Sequence, residues 1–289
     1  MRADAAGTLA VGDIEVARLG FGALRLTGEG GLGEPSDVAR AVGVVRRAVE
    51  LGVTLIDTAD SYGPEVSERL IAKALHPYPP ELLIATKGGL VHSPERRWAR
   101  DGRPERLRAA CEGSLRRLRL DRIDLYQLHA PDPDVPIEES LGAIADMVDE
   151  GKVRHVGVCN VSVEELARAR SVLPIVTVQN RYNLRERGSD AVIDICERDG
   201  IPFMPWYPLS RGLLGSRDGG PLGRVAEHRG VSPARIAIAW LLARSPMMLP
   251  IPGTSRVRHL DDNVAAAGIR LDPDELESLS GGAALSPGP

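Results

Sequence analysis

The chain has 289 residues, 43% hydrophobic and 26% charged, and 36 basic against 40 acidic side chains give it a formal charge of -4. That is the balance of an ordinary globular protein, and it offers no general attraction to nucleic acid or anionic membrane. Cys111, Cys159 and Cys196 lie far apart with no CxxC, and the six histidines form no HxxxH pair, so neither a disulfide framework nor a metal site is indicated.

No apolar run approaches membrane-spanning length, and the N-terminus lacks a basic segment followed by an apolar core. A reducing cytoplasm is the expected setting. Thr8 to Val11 and Ile14 to Ala17 flank a Gly12-Asp13 turn, which predicts a β-hairpin able to plug one end of a larger body. Leu19 to Leu24 reads as a strand. A helix from about Ser36 follows, with Val38, Val42, Val45 and Val49 at helical spacing and Gly52 closing it. The pattern then repeats: strand at Val53 and helix with Val66 and Leu70; strand Leu82 to Thr86 and helix from Pro104; strand Ile123 to Leu128 and helix Ile137 to Glu150. Strand Val153 to Val158 precedes a helix opened by the capping box Ser162 and Glu165. Strand Ile175 to Val178, helix Asp190 to Asp199, strand Ile201 to Pro205, a helix capped by Ser232 and Pro233, and strand Met247 to Ile251 complete the run. A last repeat helix near Ser255 and a short one at Asp272-Pro273 end it.

Eight strands each followed by a helix predict an α/β fold with a parallel sheet, and over this length a closed (β/α)8 barrel in one domain rather than two doubly wound halves. The core spans about residues 8 to 280, and the tail 281 to 289, rich in Gly and Pro, is expected to be disordered.

In such a barrel the reactive groups gather at the C-terminal ends of the strands. The second strand ends at Asp57 with Tyr62 just beyond, the third at Lys87, the fourth at His129, the fifth at Asn160, the sixth at Gln179 and the seventh at Trp206. Lys87 is one of only three lysines in an arginine-rich chain, which suggests that the position needs a compact ammonium. One arrangement uses all four ionisable groups. Lys87 stabilises the Tyr62 phenolate and brings its pKa toward the working range, Asp57 keeps the ammonium charged, and His129 hydrogen-bonds a substrate oxygen that receives the Tyr62 proton. Taken singly, Asp57 with Lys87 reads as an ordinary ion pair and His129 as a core histidine; four coincidences on three successive strand ends favour catalysis.

These residues, set in LIDTADSYG, ATKGG and DLYQLH, resemble the Asp-Tyr-Lys-His tetrad of the aldo-keto reductase superfamily in order and spacing, and the resemblance runs from Thr8 to about Leu279. It implies an NADPH-dependent oxidoreductase (NADH possible) that binds its dinucleotide without a Rossmann domain. Hydride would pass from nicotinamide C4 to the carbonyl carbon of a small-molecule substrate, an aldehyde or ketone. It also implies cofactor contacts. Gly22, Ala23 and Asp57 lie on the first strands, and Cys159, Asn160 and Gln179 near the carboxamide. Trp206 falls under the nicotinamide, with Tyr207, Pro208, Leu209, Ser210 and Gly212 over the pyrophosphate. Ile251, Gly253, Thr254, Ser255, Arg256, His259, Asp262 and Asn263 fall at the adenosine end, where helix N-terminal amides suit a phosphate.

Three departures stand out: Cys159 where serine is common, Gly253 where NADPH-preferring members often carry lysine, and His259 where arginine is frequent. The last two thin the cationic clamp on a 2′-phosphate, for which Arg256 with Thr254 and Ser255 is expected to compensate. Gly28, Gly30 and Gly33 fit GxGxxG, but residues intervene between strand, glycines and helix, so the segment reads as a mobile loop near the cofactor rather than a dinucleotide fingerprint. A Schiff-base lyase using Lys87 would leave Trp206 and Asn160 unexplained. A cofactor-sensing regulatory protein of the same fold is the non-enzymatic alternative. The segment Leu90 to Arg103, with His92 and Trp98, reads as a pocket wall or a cover of the barrel rim. The small tail predicts an open site with broad tolerance for carbonyls.

Overall fold

Thr8–Val11 (β1) and Ile14–Ala17 (β2) pair antiparallel around Gly12 and Asp13, with Gly12 at φ 63, a left-handed value that glycine takes without strain. The computed structural model describes residues 1–93, 97–210 and 220–281. After the hairpin come Phe21–Gly22 (β3), Val38–Glu50 (α1), Leu55–Asp57 (β4), Val66–Leu75 (α2) and Leu83–Gly88 (β5). A second antiparallel pair, Leu90–His92 (β6) and Trp98–Arg100 (β7), precedes Pro104–Leu118 (α3). Ile123–Leu128 (β8), Ile137–Asp149 (α4), Val153–Cys159 (β9), Val163–Val172 (α5), Ile175–Gln179 (β10) and Asp190–Asp199 (α6) follow. Pro221–His228 (α7), Pro233–Arg244 (α8), Val257–Ala265 (α9) and Pro273–Gly281 (α10) end the described chain.

Helix boundaries follow the capping chemistry. Asp37 accepts from the Arg40 amide at the start of α1, Ser162 and Glu165 form a reciprocal capping box at α5, and Ser232 accepts from the Arg235 amide ahead of Pro233 at α8. Helix α1 presents one apolar stripe inward, Ala41, Val42, Val44, Val45 and Ala48, whereas α8 is buried on nearly every side from Ile236 to Leu242.

β10, β9, β8, β5, β4 and β3 form one six-stranded parallel sheet in that order, whose strands are largely buried on both faces because helices cover one side and the interior the other. The stretches expected as the seventh and eighth strands are extended segments joined by single bridges. Val178 bridges Phe203, Phe203 bridges Met248, and Gly20 donates its amide to Pro250 O at 2.9 Å, beside β3. Pro202, Pro205, Pro250 and Pro252 supply no N–H, so a continuous ladder cannot form there. β3 is likewise only two residues long where the sequence predicts a strand from 19 to 24.

The hairpin stoppers the sheet at the N-terminal ends of its strands. Val11 and Val16 pack with Leu55, Leu83, Leu125, Met204 and Leu249, and the Asp13 carboxylate meets Arg154 and His155 at the start of β9. The opposite ends, which carry Asp57, Lys87, His129 and Asn160, are left for the loops. Among the described residues no helix is long and apolar enough to cross a membrane, and no cluster of His, Cys, Asp and Glu could hold a metal ion. Gly212 and residues 282–289, given a cofactor role and a disordered tail on sequence grounds, lie outside the described residues.

Candidate active site

Parallel register brings the chemistry together. Gly22 pairs with Asp57, Asp57 with Ala85, Lys87 with Gln127, and Gln179 with Cys159, so all these residues end their strands on the same side. Lys87 is completely buried and donates to Asp57 Oδ1 at 2.6 Å, Asp57 Oδ2 at 2.7 Å and Thr58 O at 2.8 Å. Asp57 Oδ1 also accepts from Gln127 Nε2 at 3.2 Å and Gln179 Nε2 at 2.9 Å. A buried ion pair is tolerable only when its remaining valences are filled in this way. Burial pulls the ammonium down, but Asp57, Tyr62 and Cys159 together hold it above its ordinary value.

Tyr62 stands over this pair, with Lys87 Nζ 5.2 Å from its ring centroid. Burial pushes its phenol up to about 12, and the Lys87 ammonium opposes this only in part. The expectation that Lys87 brings the phenol toward neutral pH is therefore corrected: desolvation of the phenolate outweighs the attraction, because Asp57 already cancels much of the ammonium's field. The group is a neutral phenol. His129 meets Tyr62 edge-on, with centroids 5.8 Å apart, and its Nδ1 has no hydrogen-bond partner among the described residues. Burial first, then Lys87, holds its pKa well below 6.5, which leaves a neutral imidazole able to donate or accept.

Asn160 links the second half of the site. Its backbone is left-handed at φ 58, its amide N–H bonds Gln179 O at 3.0 Å, its Nδ2 donates to His129 O at 2.8 Å, and its Oδ1 accepts from Trp206 Nε1 at 2.8 Å. Such a conformation in a residue other than glycine is strained and persists only where surrounding bonds over-determine it. Arg181 lies over both Trp206 and Tyr207, at 5.6 and 5.1 Å from the ring centroids. Cys159 is buried and its Sγ donates weakly to Gln127 Oε1 at 3.6 Å.

Across the mouth, Ala23 N donates to Asp57 O at 2.8 Å, and Gly22 lies so close to Ile251 that a Cβ would stand 2.6 Å from Ile251 O. Gly253 packs back on Gly22 in the same manner. Thr254 Oγ1 accepts from Arg256 N at 3.1 Å as the chain enters α9, with Ser255 half-buried at that turn and Asn263 buried on the helix. Pro208 and Leu209 lie within a turn closed by Ser210 N to Tyr207 O at 3.0 Å. His259 is exposed beside Arg258. Asp262 is taken up by α8, where Arg235 Nε donates to it at 2.6 Å and Ser232 adds a second bond.

Gln127 was missed by reading strand ends alone. It is the inward neighbour two residues before His129, and a period of two counted back from that histidine finds it. The β6–β7 hairpin was also missed, and it carries Trp98 to 6.5 Å from Tyr62 and 6.4 Å from His129, with His92 tilted against Trp98 at 4.0 Å. The Gly28–Gly33 loop is pinned beside Tyr62: Gly33 N donates to Gly63 O at 2.7 Å and Gly63 N to Gly31 O at 2.9 Å.

A parallel α/β sheet carries an ammonium, a phenol and an imidazole together at its C-terminal mouth, groups that can hydrogen-bond an oxygen and exchange its proton. The chain belongs to the aldo/keto reductase family, whose model matches residues 18–281, and it is an oxidoreductase. It is 48% identical over 277 residues to an uncharacterized oxidoreductase of Schizosaccharomyces pombe, covering 96% of this chain and 90% of that one. It is 41% identical over 281 residues to pyridoxine 4-dehydrogenase of Escherichia coli, covering 95% and 97%. Among solved structures it resembles an aldo-keto reductase of Klebsiella pneumoniae in complex with NADPH, with a TM-score of 0.78, 29% identity, and 92% and 90% of the two chains covered.

Proposed function

We propose that the protein, as one closed (β/α)8 domain, reduces an aldehyde or ketone to the alcohol with NADPH, using Tyr62 as general acid. The observation that carries this reading is the neutral Tyr62 phenol over the locked Lys87–Asp57 pair, facing an imidazole with an unpartnered nitrogen. Bound NADPH supplies the hydride. The carbonyl oxygen lies between Tyr62 and His129; His129 donates a hydrogen bond that orients it, and Tyr62 transfers its proton as negative charge develops there. An alkoxide is far more basic than a phenolate, so a phenol raised to about 12 still donates downhill. Lys87 then steadies the phenolate until solvent reprotonates it.

The residues present fit the cofactor. Asn160 keeps one N–H and a lone pair after its internal bonds, which suits a carboxamide, while Gln179 directs its Nε2 to Asp57 and weakly to Met204 Sδ and offers its Oε1 as an acceptor. Gly22 and Gly253 lack the side chains that would crowd the strand ends, and Thr254, Ser255 and Arg256 offer donors at the start of α9 for a phosphate. Arg256 supports preference for NADPH over NADH. The Escherichia coli relative acts on pyridoxine, and Trp98, edge-on to Tyr62 with His92 tilted against it, gives that side of the mouth an aromatic surface on which a pyridine ring can pack. Pyridoxal therefore heads the substrates to try, within the broader set of aldehydes and ketones.

The test is cofactor oxidation with pyridoxal, aromatic aldehydes, aliphatic ketones and α-dicarbonyls, for wild type and Tyr62→Phe. The variant should bind NADPH as wild type does, by quenching of tryptophan emission, and lose about 10²- to 10⁴-fold in kcat. Undiminished turnover in the variant would remove Tyr62 from the mechanism, and a KM for NADH equal to or below that for NADPH would overturn the cofactor preference.

A further inference from the structure

The parallel register sets Lys87, Gln127, Gly157 and Thr177 side by side in one row across β5, β8, β9 and β10. Gln127 is fully buried in that row, with an ammonium on one side and a bare glycine on the other. A Cβ on Gly157 would stand 3.0 Å from Gln127 Cγ and 2.1 Å from Thr177 Oγ1, so the glycine leaves the room that the glutamine stem occupies. Both ends of the amide are engaged. Nε2 donates to Asp57 Oδ1 at 3.2 Å, and Oε1 accepts from Cys159 Sγ at 3.6 Å.

These two bonds do little to offset the cost of burying an amide. One is long and the other comes from a thiol, a weak donor, whereas a methionine would fill the same place without desolvating polar atoms. What distinguishes the amide is the charge it meets. Asp57 Oδ1 already receives Lys87 Nζ at 2.6 Å and Gln179 Nε2 at 2.9 Å, so Gln127 brings one more donor to the same oxygen. Lys87 Nζ lies 5.2 Å from the centre of the Tyr62 ring. Burial is the largest influence on that phenol; beyond it, Lys87 favours the phenolate and Asp57 disfavours it. An N–H dipole aimed at the carboxylate offsets part of its negative charge, and more of the ammonium's field then reaches Tyr62.

We propose that Gln127 is a positioning residue for the carbonyl reduction: by holding Asp57 and screening part of its charge, it preserves the field with which Lys87 stabilises the Tyr62 phenolate as the proton leaves. The assignment rests on the reading of Tyr62 as general acid. Gln127 has no exposed surface, so its effect falls on the chemical step and not on binding of the cofactor or the carbonyl.

Gln127→Met removes the donor and keeps the volume. Its kcat should fall about tenfold, the size of one charge-assisted hydrogen bond, with the carbonyl KM and the NADPH Kd within about twofold of wild type. Gln127→Glu keeps the shape, carries the test if the methionine variant does not fold, and adds a titrating group among Asp57, Lys87, Cys159 and Tyr62. A protonated glutamate donates as the amide does and an ionised one repels Asp57. Its kcat relative to wild type should therefore fall between about pH 6 and about pH 9, while the ratio for the methionine variant stays constant. The protein without cofactor gives an independent readout, because the chain has only three lysines. The ε-methylene resonance of Lys87 should move in Gln127→Met while those of Lys73 and Lys152 stay in place. Wild-type kcat in Gln127→Met, a loss of NADPH affinity as large as the loss of kcat, a Gln127→Glu ratio flat with pH, or an unmoved Lys87 resonance would each overturn the assignment. Tyr62→Phe, measured alongside, separates the two levels. Full turnover in that variant removes the reading of Tyr62 and this assignment with it, whereas an inactive Tyr62→Phe beside an undiminished Gln127→Met removes the role of Gln127 alone.

Discussion

Lys87 has no exposed surface and three oxygens within 2.8 Å, so it is as much a structural cation as a chemical one. Its removal leaves the Asp57 carboxylate buried without a counter-ion, and Lys87→Met should cost about 3–5 kcal/mol of stability in denaturant titration as well as turnover. Adding Asp57→Leu should restore much of that stability and none of the activity; a double variant no more stable than the single would show that packing, not charge, was lost. His129 makes a pH-dependent contribution. Its folded pKa lies well below 6.5, so as pH falls through 6.5 the unfolded chain takes up a proton that the folded one refuses, and stability drops. Asp60 acts in the opposite sense, since its folded value near 7 exceeds the unfolded 3.8 and its contribution grows as pH falls between them. The two offset in wild type, so the difference is what informs: between pH 7 and pH 5 wild type should lose stability relative to His129→Asn. A constant difference would mean that the folded imidazole accepts the proton freely.

At the level of elements, the β1–β2 hairpin is a plug whose work is apolar. Val11 is fully buried against the starts of β4, β5 and β8, and Val11→Ala should cost about 2 kcal/mol for the lost methyls and the space left behind. The hairpin sits at the strand ends away from Tyr62, so kcat should hold within about twofold; a large fall in kcat would show that the plug sets the geometry of the mouth. This hairpin was legible because Gly12-Asp13 between two β-branched runs is local chemistry, and the same holds for the caps at Ser162 and Ser232 and for helix α6, found at Asp190–Asp199 as read. What was not legible depends on partners or on very short runs. Leu90–His92 and Trp98–Arg100 are too brief to show alternation, and the proline-bounded segments at 201–205 and 247–251 have strand-like side chains but not strand-like hydrogen bonds. The strand-end rule found Asp57, Lys87 and His129, yet the raised Tyr62 phenol could not be foreseen, because burial is a property of the assembled mouth.

For the whole molecule the decisive place is the seam where the first strand meets the last extended segment. Gly20 N bonds Pro250 O, and Gly22 and Gly253 bring two backbones into direct contact. A Cβ on Gly22 would stand 2.6 Å from Ile251 O, and one on Gly253 would stand 2.5 Å from Gly22 O. Both obstacles are main-chain oxygens, which cannot swing aside as a flexible side chain would, and neither glycine has a positive φ. The requirement is close approach, not backbone freedom. Gly22→Ala should therefore part the seam at a cost of about 1–3 kcal/mol. On the proposed cofactor reading it should also weaken NADPH, because Ile251 and Gly253 are displaced together. Gly43→Ala is the matched control: it lies inside α1 with nothing within 4 Å of the added methyl, and helix propensity alone should raise stability by about 0.5–1 kcal/mol. Opposite signs for the two substitutions, with NADPH affinity falling only for Gly22→Ala, would tie closure of the sheet to cofactor binding. Equal small gains would mean that the seam opens and recloses freely, and that the cofactor segment is held by α9 alone.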